Sequence, residues 1–190
     1  MRRFAIAATV AAVLIMAKPS RADPVPSGAL GVFTGVIAGT GADASRIGVG
    51  YYQIGARAAW QPMPPERRIG YTVRWSTMFA AFYGGNAQRI DPPLRTTQMD
   101  LTIGVRVRPW TTRSRYLTLR GGGELFRANE PIPTTRPMES RRSFAGATAS
   151  VGLDQYAVGM MFNAEVRYGM IGGTGPTTLA ILVGAAFVGP

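Results

Sequence analysis

The chain has 190 residues, no cysteine, no histidine and a formal net charge of +11 at pH 7. Without histidine it cannot carry a Ser-His-Asp or Cys-His catalytic centre or an imidazole metal site, and without cysteine it has no disulfide. The positive charge is compatible with nucleic acid, but the export signal described next argues against that partner. We therefore expect no enzyme, no cofactor, no metal and no bound nucleic acid.

Residues 1–22 predict a secretory signal peptide. Two arginines precede a short apolar run over 4–17, and Ser20 and Ala22 satisfy the small-x-small rule for cleavage. The apolar run is shorter than the roughly 20 residues of a membrane-spanning helix, which argues against an uncleaved anchor. The predicted mature domain, 23–190, carries 17 arginines against 10 acidic residues, a net charge of +7.

Eight segments alternate between an apolar face and a polar or small face with a period of two residues, which is typical of β-strands. In chain order they are 28–38, 52–60, 69–83, 97–108, 116–125, 144–153, 156–168 and 178–188. Proline and glycine mark the breaks between them, and a tight "LDQ" turn is expected after the sixth. The connections after odd-numbered segments are mostly the longer ones. This alternation predicts antiparallel neighbours joined up and down.

The two faces of the segments predict which side is the interior. In 69–83 one face holds Tyr71, Val73, Trp75 and Phe79, whereas the other holds arginine and small or hydroxyl side chains. Glycine, alanine, serine and threonine suit the narrow lumen of an eight-stranded barrel. The sequence therefore predicts an all-β fold: an eight-stranded antiparallel up-and-down transmembrane β-barrel with a narrow lumen filled by side chains.

Charged residues on the small-polar faces predict an ion-pair network in this lumen, because a buried charge without a partner is costly. The predicted members are Arg57, Arg74, Arg106, Arg120, Arg167, Asp100, Glu124 and Glu165. The three acids could be paired catalytic carboxylates, but the arginines around them favour salt bridges. Arginine outnumbers acid, so waters or backbone carbonyls are expected to contribute.

Aromatic residues near the strand ends predict two girdles at the membrane interfaces. Tyr71 and Tyr83 are twelve steps apart, which at about 3.3 Å per residue and a tilt near 40° spans roughly 30 Å. Trp60 would lie near the level of Tyr71. Tyr156 and Tyr168 repeat the spacing, and Phe187 closes the last strand.

Two loop motifs have a functional and a plain interpretation. The long loop over 128–142 ends in a basic stretch, and Arg136, Arg141 and Arg142 could contact anionic lipid or polysaccharide. We favour the plain interpretation, in which they are solvated charges, because single exposed charges contribute little. "GTGADA" (39–44) matches a loose dinucleotide-binding pattern, but a strand follows it where that motif needs a helix, so we interpret its glycines as part of a turn.

The signal peptide, the dyad-repeat strands and the terminal "TLAILVGAAF" together resemble the small OmpA-type eight-stranded outer-membrane β-barrel proteins of bacteria. The resemblance implies an outer-membrane location, contact with membrane lipids and a non-enzymatic role in envelope integrity, adhesion or ligand binding through the longer loops. Val188, Gly189 and Pro190 follow Phe187, where the family usually stops at the aromatic residue.

Two other functions stay open at this point. Lumen arginines would suit a narrow anion-preferring pore. An exported soluble barrel, similar to a lipocalin, would instead bind an apolar ligand inside, with its apolar face turned inward. The ligand and the oligomeric state do not follow from the residues.

Overall fold

The computed structural model describes residues 28–40, 49–61, 68–82, 94–111, 114–133, 140–157, 159–171 and 177–189. The predicted signal peptide lies outside these residues, and so does the boundary at residue 23. Both stay predictions. No helix among the described residues is long and apolar enough to cross a lipid bilayer.

Eight antiparallel strands form one closed barrel, which confirms the predicted fold class. The strands are β1 (Gly28–Gly39), β2 (Val49–Trp60), β3 (Ile69–Phe82), β4 (Leu94–Val107), β5 (Arg115–Pro133), β6 (Ser140–Ala157), β7 (Met160–Met170) and β8 (Thr177–Gly189). Each strand pairs with the next in sequence, and β1 pairs with β8 from Gly28 opposite Gly189 to Gly39 opposite Thr178. Pairing of β1 with β8 closes the sheet, so each of the eight strands is hydrogen-bonded to two neighbours and the wall has no free sheet edge.

The connections divide between the two ends of the barrel. At the end that we call the loop side, strands are joined by residues 40–48, 83–93, 134–139 and 171–176. At the other end, the turn side, the connections are 61–68, 108–114 and 158–159, and β1 begins and β8 ends there. The last of these turns includes Gly159, whose φ of 71° is the left-handed conformation that glycine adopts without strain.

β5 and β6 are longer than predicted, and this corrects the expected loop over 128–142. β5 continues to Pro133 and β6 starts at Ser140, so most of that stretch is strand. The two strands are paired again beyond a register shift between Arg127 and Ile132, where Ile132 lies opposite Arg141. On the loop side, pairing between β6 and β7 stops at Ala147. The β5–β6 hairpin therefore extends beyond β7 at this end of the barrel.

The end of β6 corrects a second prediction. The "LDQ" stretch is not a turn, because β6 runs through it to Ala157, and β7 starts at Met160 rather than at 156. Tyr156 consequently belongs to β6, where the even-numbered residues point inward. Its hydroxyl lies inside the barrel, so its predicted place in an outer aromatic girdle is wrong.

The outer wall is apolar and the inner wall is polar over the middle of the barrel. Large apolar side chains stay exposed on every strand, among them Leu30 (66%), Tyr71 (69%) and Phe187 (74%). Water would penalise so much exposed apolar surface, whereas acyl chains would not. This arrangement is the reverse of a soluble barrel that encloses an apolar ligand, so it argues against the lipocalin-like alternative.

The aromatic girdle is present in part. Trp60, Tyr71 and Phe187 point outward near the turn side, and Tyr168 points outward near the loop side. Tyr83 lies outside the described residues.

Candidate functional site

All eight charged residues that the sequence assigned to the lumen lie inside the barrel and are buried. They are Arg57 on β2, Arg74 on β3, Asp100 and Arg106 on β4, Arg120 and Glu124 on β5, and Glu165 and Arg167 on β7. Inward and outward side chains alternate along a strand. Once one face of a strand is known to point inward, every second residue of that strand is therefore placed inside.

Glu165 lies at the centre of the network. Arg74 Nη1 and Nη2 both donate to its carboxylate, the second over 2.9 Å. Arg120 Nη1 lies 3.5 Å and Arg57 Nη1 3.7 Å from Glu165 Oε2. One carboxylate thus faces three guanidinium groups from three other strands, and this holds β2, β3, β5 and β7 together through the interior.

A second cluster forms around Arg167, on the loop side of Glu165. Arg167 Nη1 donates to Asp100 Oδ2 over 2.8 Å, and its Nη2 lies 3.3 Å from Glu124 Oε2. Its Nε donates to Thr148 Oγ1 over 3.0 Å. Ser76 also donates to Asp100. The guanidinium of Arg167 therefore meets two carboxylates and a hydroxyl.

Asp154 is a buried acid that the sequence analysis missed. Its Oδ1 accepts a 2.6 Å hydrogen bond from Asn163 Nδ2, and its Oδ2 lies 3.3 Å from Arg120 Nη2 and 3.8 Å from Arg106 Nε. The signal was present, since the inward even-numbered face of β6 continues through residue 154. Asp154 was missed because the sequence analysis expected a turn at "LDQ", which contains this residue.

The buried charges nearly balance. Among the described interior residues, five arginines face four acids when Asp154 is counted. Aromatic rings supply a further partner, because the Arg57 guanidinium lies 4.4 Å from the centroid of Phe33.

Arg106 joins the charge network through Asp154, whose Oδ2 lies 3.8 Å from its Nε, and it also contacts aromatic rings. It contacts none of the three predicted acids but stacks 4.4 Å from the Tyr116 ring and 5.4 Å from the Tyr156 ring. Its Nη2 donates to the Tyr156 hydroxyl over 2.5 Å, and its Nη1 donates to the carbonyl of Gln61 over 3.2 Å. Together with Met161, these side chains fill the lumen at the turn side.

The loop side of the lumen is filled by apolar side chains. The buried cluster there includes Phe33, Ile37, Met78, Leu94, Phe126, Ile132, Phe144, Ile171 and Leu182. Phe126 and Phe144 meet edge to face with centroids 6.2 Å apart. Layers of apolar, charged and aromatic side chains therefore occupy the described interior from end to end, an arrangement that does not favour the anion-preferring pore.

The predicted loop arginines are only partly described. Arg136 lies outside the described residues. Arg141 and Arg142 lie at the start of β6 and are exposed on the loop side. Among the described residues, no group of three or more histidine, cysteine or acidic residues is arranged to hold a metal ion.

Comparison with known proteins identifies the architecture. No protein-family model matches the chain, and no curated protein matches it. Among solved structures it is similar to Ail, the attachment invasion locus protein of Yersinia pestis, in complex with the heparin analogue sucrose octasulfate. That match has 14% identity and a TM-score of 0.53, and it covers 85% of this chain and 96% of Ail. It is also similar to Neisserial surface protein A, with 9% identity and a TM-score of 0.59, over 85% of this chain and 97% of that protein.

At such identities the likeness concerns the fold alone. The closed barrel, the apolar outer wall and the matched backbones agree with one another. The chain has the fold of the small eight-stranded outer-membrane β-barrel proteins.

Proposed function

We propose that the chain is an outer-membrane protein with a non-enzymatic structural or interaction role, exerted from its loop side. The observation that supports this best is the apolar outer wall around a lumen packed with paired charges. The wall suits a bilayer, and the packed lumen leaves the external surfaces for binding.

The β5–β6 hairpin is the element that we assign to binding. It extends past the paired part of β7, and it carries Arg141 and Arg142 close to Arg136 in sequence. Guanidinium groups bind phosphate and sulfate through paired hydrogen bonds. We infer that its ligand is an anionic polysaccharide or the anionic headgroup of a lipid. Ail, a protein of the same fold, has been solved with a sulfated sugar.

Fractionation of cells that express the full chain tests the location. We expect the protein in the outer-membrane fraction, extracted by detergent but not by alkali, with faster gel migration before heating because the closed barrel resists detergent. Release by alkali or salt would refute the membrane location.

Titration with sucrose octasulfate tests the interaction role. The barrel is reconstituted in phosphatidylcholine nanodiscs, and binding is measured by calorimetry. We expect the double variant Arg141→Gln/Arg142→Gln to bind at least tenfold more weakly than wild type. The control Arg68→Gln/Arg108→Gln removes the same charge at the turn side and should bind as wild type does. Equal binding by all three proteins would contradict the role of the hairpin.

A further inference from the structure

A groove crosses the outer wall near the loop side, over strands β2 to β5. It has a volume of about 510 Å³. In one row across the strands, Ile54 lies opposite Phe79, Phe79 opposite Thr97, and Thr97 opposite Arg127. Small side chains, Thr97 and its neighbour Ala81, lie between larger ones, and this difference in size creates the groove.

Two arginines line one side of this groove. Arg95 and Arg127 are exposed, and neither forms a salt bridge with an acid among the described residues. Asn129 lies beside them, and its Oδ1 accepts a 2.8 Å hydrogen bond from the backbone N–H of Arg95. The groove therefore combines an apolar side, formed by Ile54 and Phe79, with a basic side.

The position along the barrel matches the edge of a membrane. Arg95 lies opposite Ala81, ten residues beyond the girdle residue Tyr71 on β3. At about 3.3 Å per residue and a tilt near 40°, the two levels are about 25 Å apart, which is the usual height of the apolar band of such barrels. Phe79 lies about 5 Å lower by the same geometry, within the acyl-chain region.

The described outward residues between these levels carry no charge. On β4 the outward side chains from Thr97 to Val107 are polar or apolar but not ionised, and on β5 the same holds from Leu117 to Leu125. Arg95 is thus placed where an acyl chain ends and a headgroup begins. Arg127 lies one step lower, in the row of Phe79 and Thr97, and its long side chain can carry the guanidinium to the same edge.

We propose that this groove binds one phosphorylated lipid of the leaflet on the loop side. Its phosphate accepts hydrogen bonds from Arg95 and Arg127, and an acyl chain lies along Ile54 and Phe79. Charge complementarity selects the phosphate, since a guanidinium group pairs with two phosphate oxygens at once. The apolar side selects a lipid over a soluble sugar or a free phosphate ion. The site rests on the proposed membrane location, but it does not depend on the binding that we propose for Arg141 and Arg142 of the β5–β6 hairpin.

Native mass spectrometry of the full barrel, released from detergent micelles after titration with diphosphoryl lipid A, tests this site. We expect Arg95→Gln/Arg127→Gln to lower the apparent affinity at least tenfold. The control Arg68→Gln/Arg108→Gln removes the same charge at the turn side and should stay within twofold of wild type. Equal losses in both double variants would show attraction by net charge alone and would overturn the proposal, as would no loss in either.

A second variant tests the groove without changing any charge. Thr97→Trp fills the space between Phe79 and Arg127, and we expect it to weaken lipid A binding at least tenfold. Unchanged binding would overturn the proposal, because the acyl chain would then lie elsewhere. Complete competition by excess inorganic phosphate would also overturn it, since a phosphate-ion site would be the better description.

Two further controls separate these outcomes from other failures. Dephosphorylated lipid A, which keeps the acyl chains, should bind at least tenfold more weakly than the diphosphorylated form, and equal binding would contradict a role for phosphate. Each variant is checked for faster gel migration before heating, which reports a closed barrel. If the wild-type protein fractionates with the membrane but does not bind lipid A, this site is refuted and the proposed location stays intact.

Discussion

Arg74 on β3 and Glu165 on β7 meet across the barrel interior, and both terminal nitrogens of the arginine donate to the carboxylate. The two residues are 91 positions apart in the chain and lie on strands that are not neighbours in the sheet. Their ion pair therefore braces the barrel through its middle, which the hydrogen bonds of the wall cannot do. A fork-to-fork pair of this kind is the strongest geometry that an arginine and a carboxylate adopt.

The first prediction concerns this central carboxylate. Glu165→Gln keeps the size of the side chain but leaves Arg57, Arg74 and Arg120 without their common anion. Because breaking a buried pair leaves uncompensated charge, we expect the variant to lose about 3–5 kcal/mol of unfolding free energy. Urea unfolding in lipid vesicles, followed by tryptophan fluorescence, measures the loss. The outward variant Val166→Ala is the matched control, and an equal loss in both variants would contradict a special role for the carboxylate.

The second prediction concerns the space around Gly184 on β8. A Cβ atom at this position would lie 2.7 Å from the carbonyl oxygen of Val32 and 2.7 Å from Arg57 Nη2. Because the carbonyl belongs to the paired strand β1, it cannot move aside cheaply, and we expect Gly184→Ala to cost about 1–3 kcal/mol. Gly123→Ala is the control, since nothing lies within 4 Å of a Cβ there. A control as unstable as the variant, in the same urea experiment, would refute this explanation.

The third prediction concerns conduction. The lumen is filled by apolar side chains at the loop side, by ion pairs at the centre and by Arg106 between two tyrosines at the turn side. We therefore expect no stepwise conductance when the purified protein is reconstituted in planar lipid bilayers. Reproducible channel openings that disappear in Arg74→Ala would contradict this prediction and would support the anion-preferring pore.

The fourth prediction concerns the outward face of β3. The chain has no cysteine, so a single introduced cysteine carries a nitroxide label without further changes. Labels at Val73→Cys and Phe79→Cys should collide with oxygen, which dissolves in acyl chains, more often than with a water-soluble nickel complex. A label at Asn129→Cys, beyond the apolar band, should show the reverse preference. Water accessibility at Val73 and Phe79 would show that the outer wall does not face lipid.

The number of strands and the division of each strand into two faces follow from the period of two. The small and charged residues then identify the inward face, and this gives the buried position of the eight predicted charges. This is so because side chains of a strand alternate strictly, and because small and charged residues cannot all face lipid. Composition excluded histidine- and cysteine-dependent chemistry for the same elementary reason: the side chains are missing. These inferences are local, since each needs only one strand and its neighbours in sequence.

Only the tertiary structure decided which charges meet and where the strands end. Glu165 finds Arg74 because closure of the barrel brings β3 and β7 to face each other across a narrow lumen, and no local pattern encodes that distance. Asp154 and Tyr156 point inward because β6 continues past the expected turn, where pairing with β5 and β7 outweighs the turn preference of "LDQ". The groove beside Arg95 and Arg127 likewise depends on the register of four strands. That register brings together residues that lie far apart in the chain.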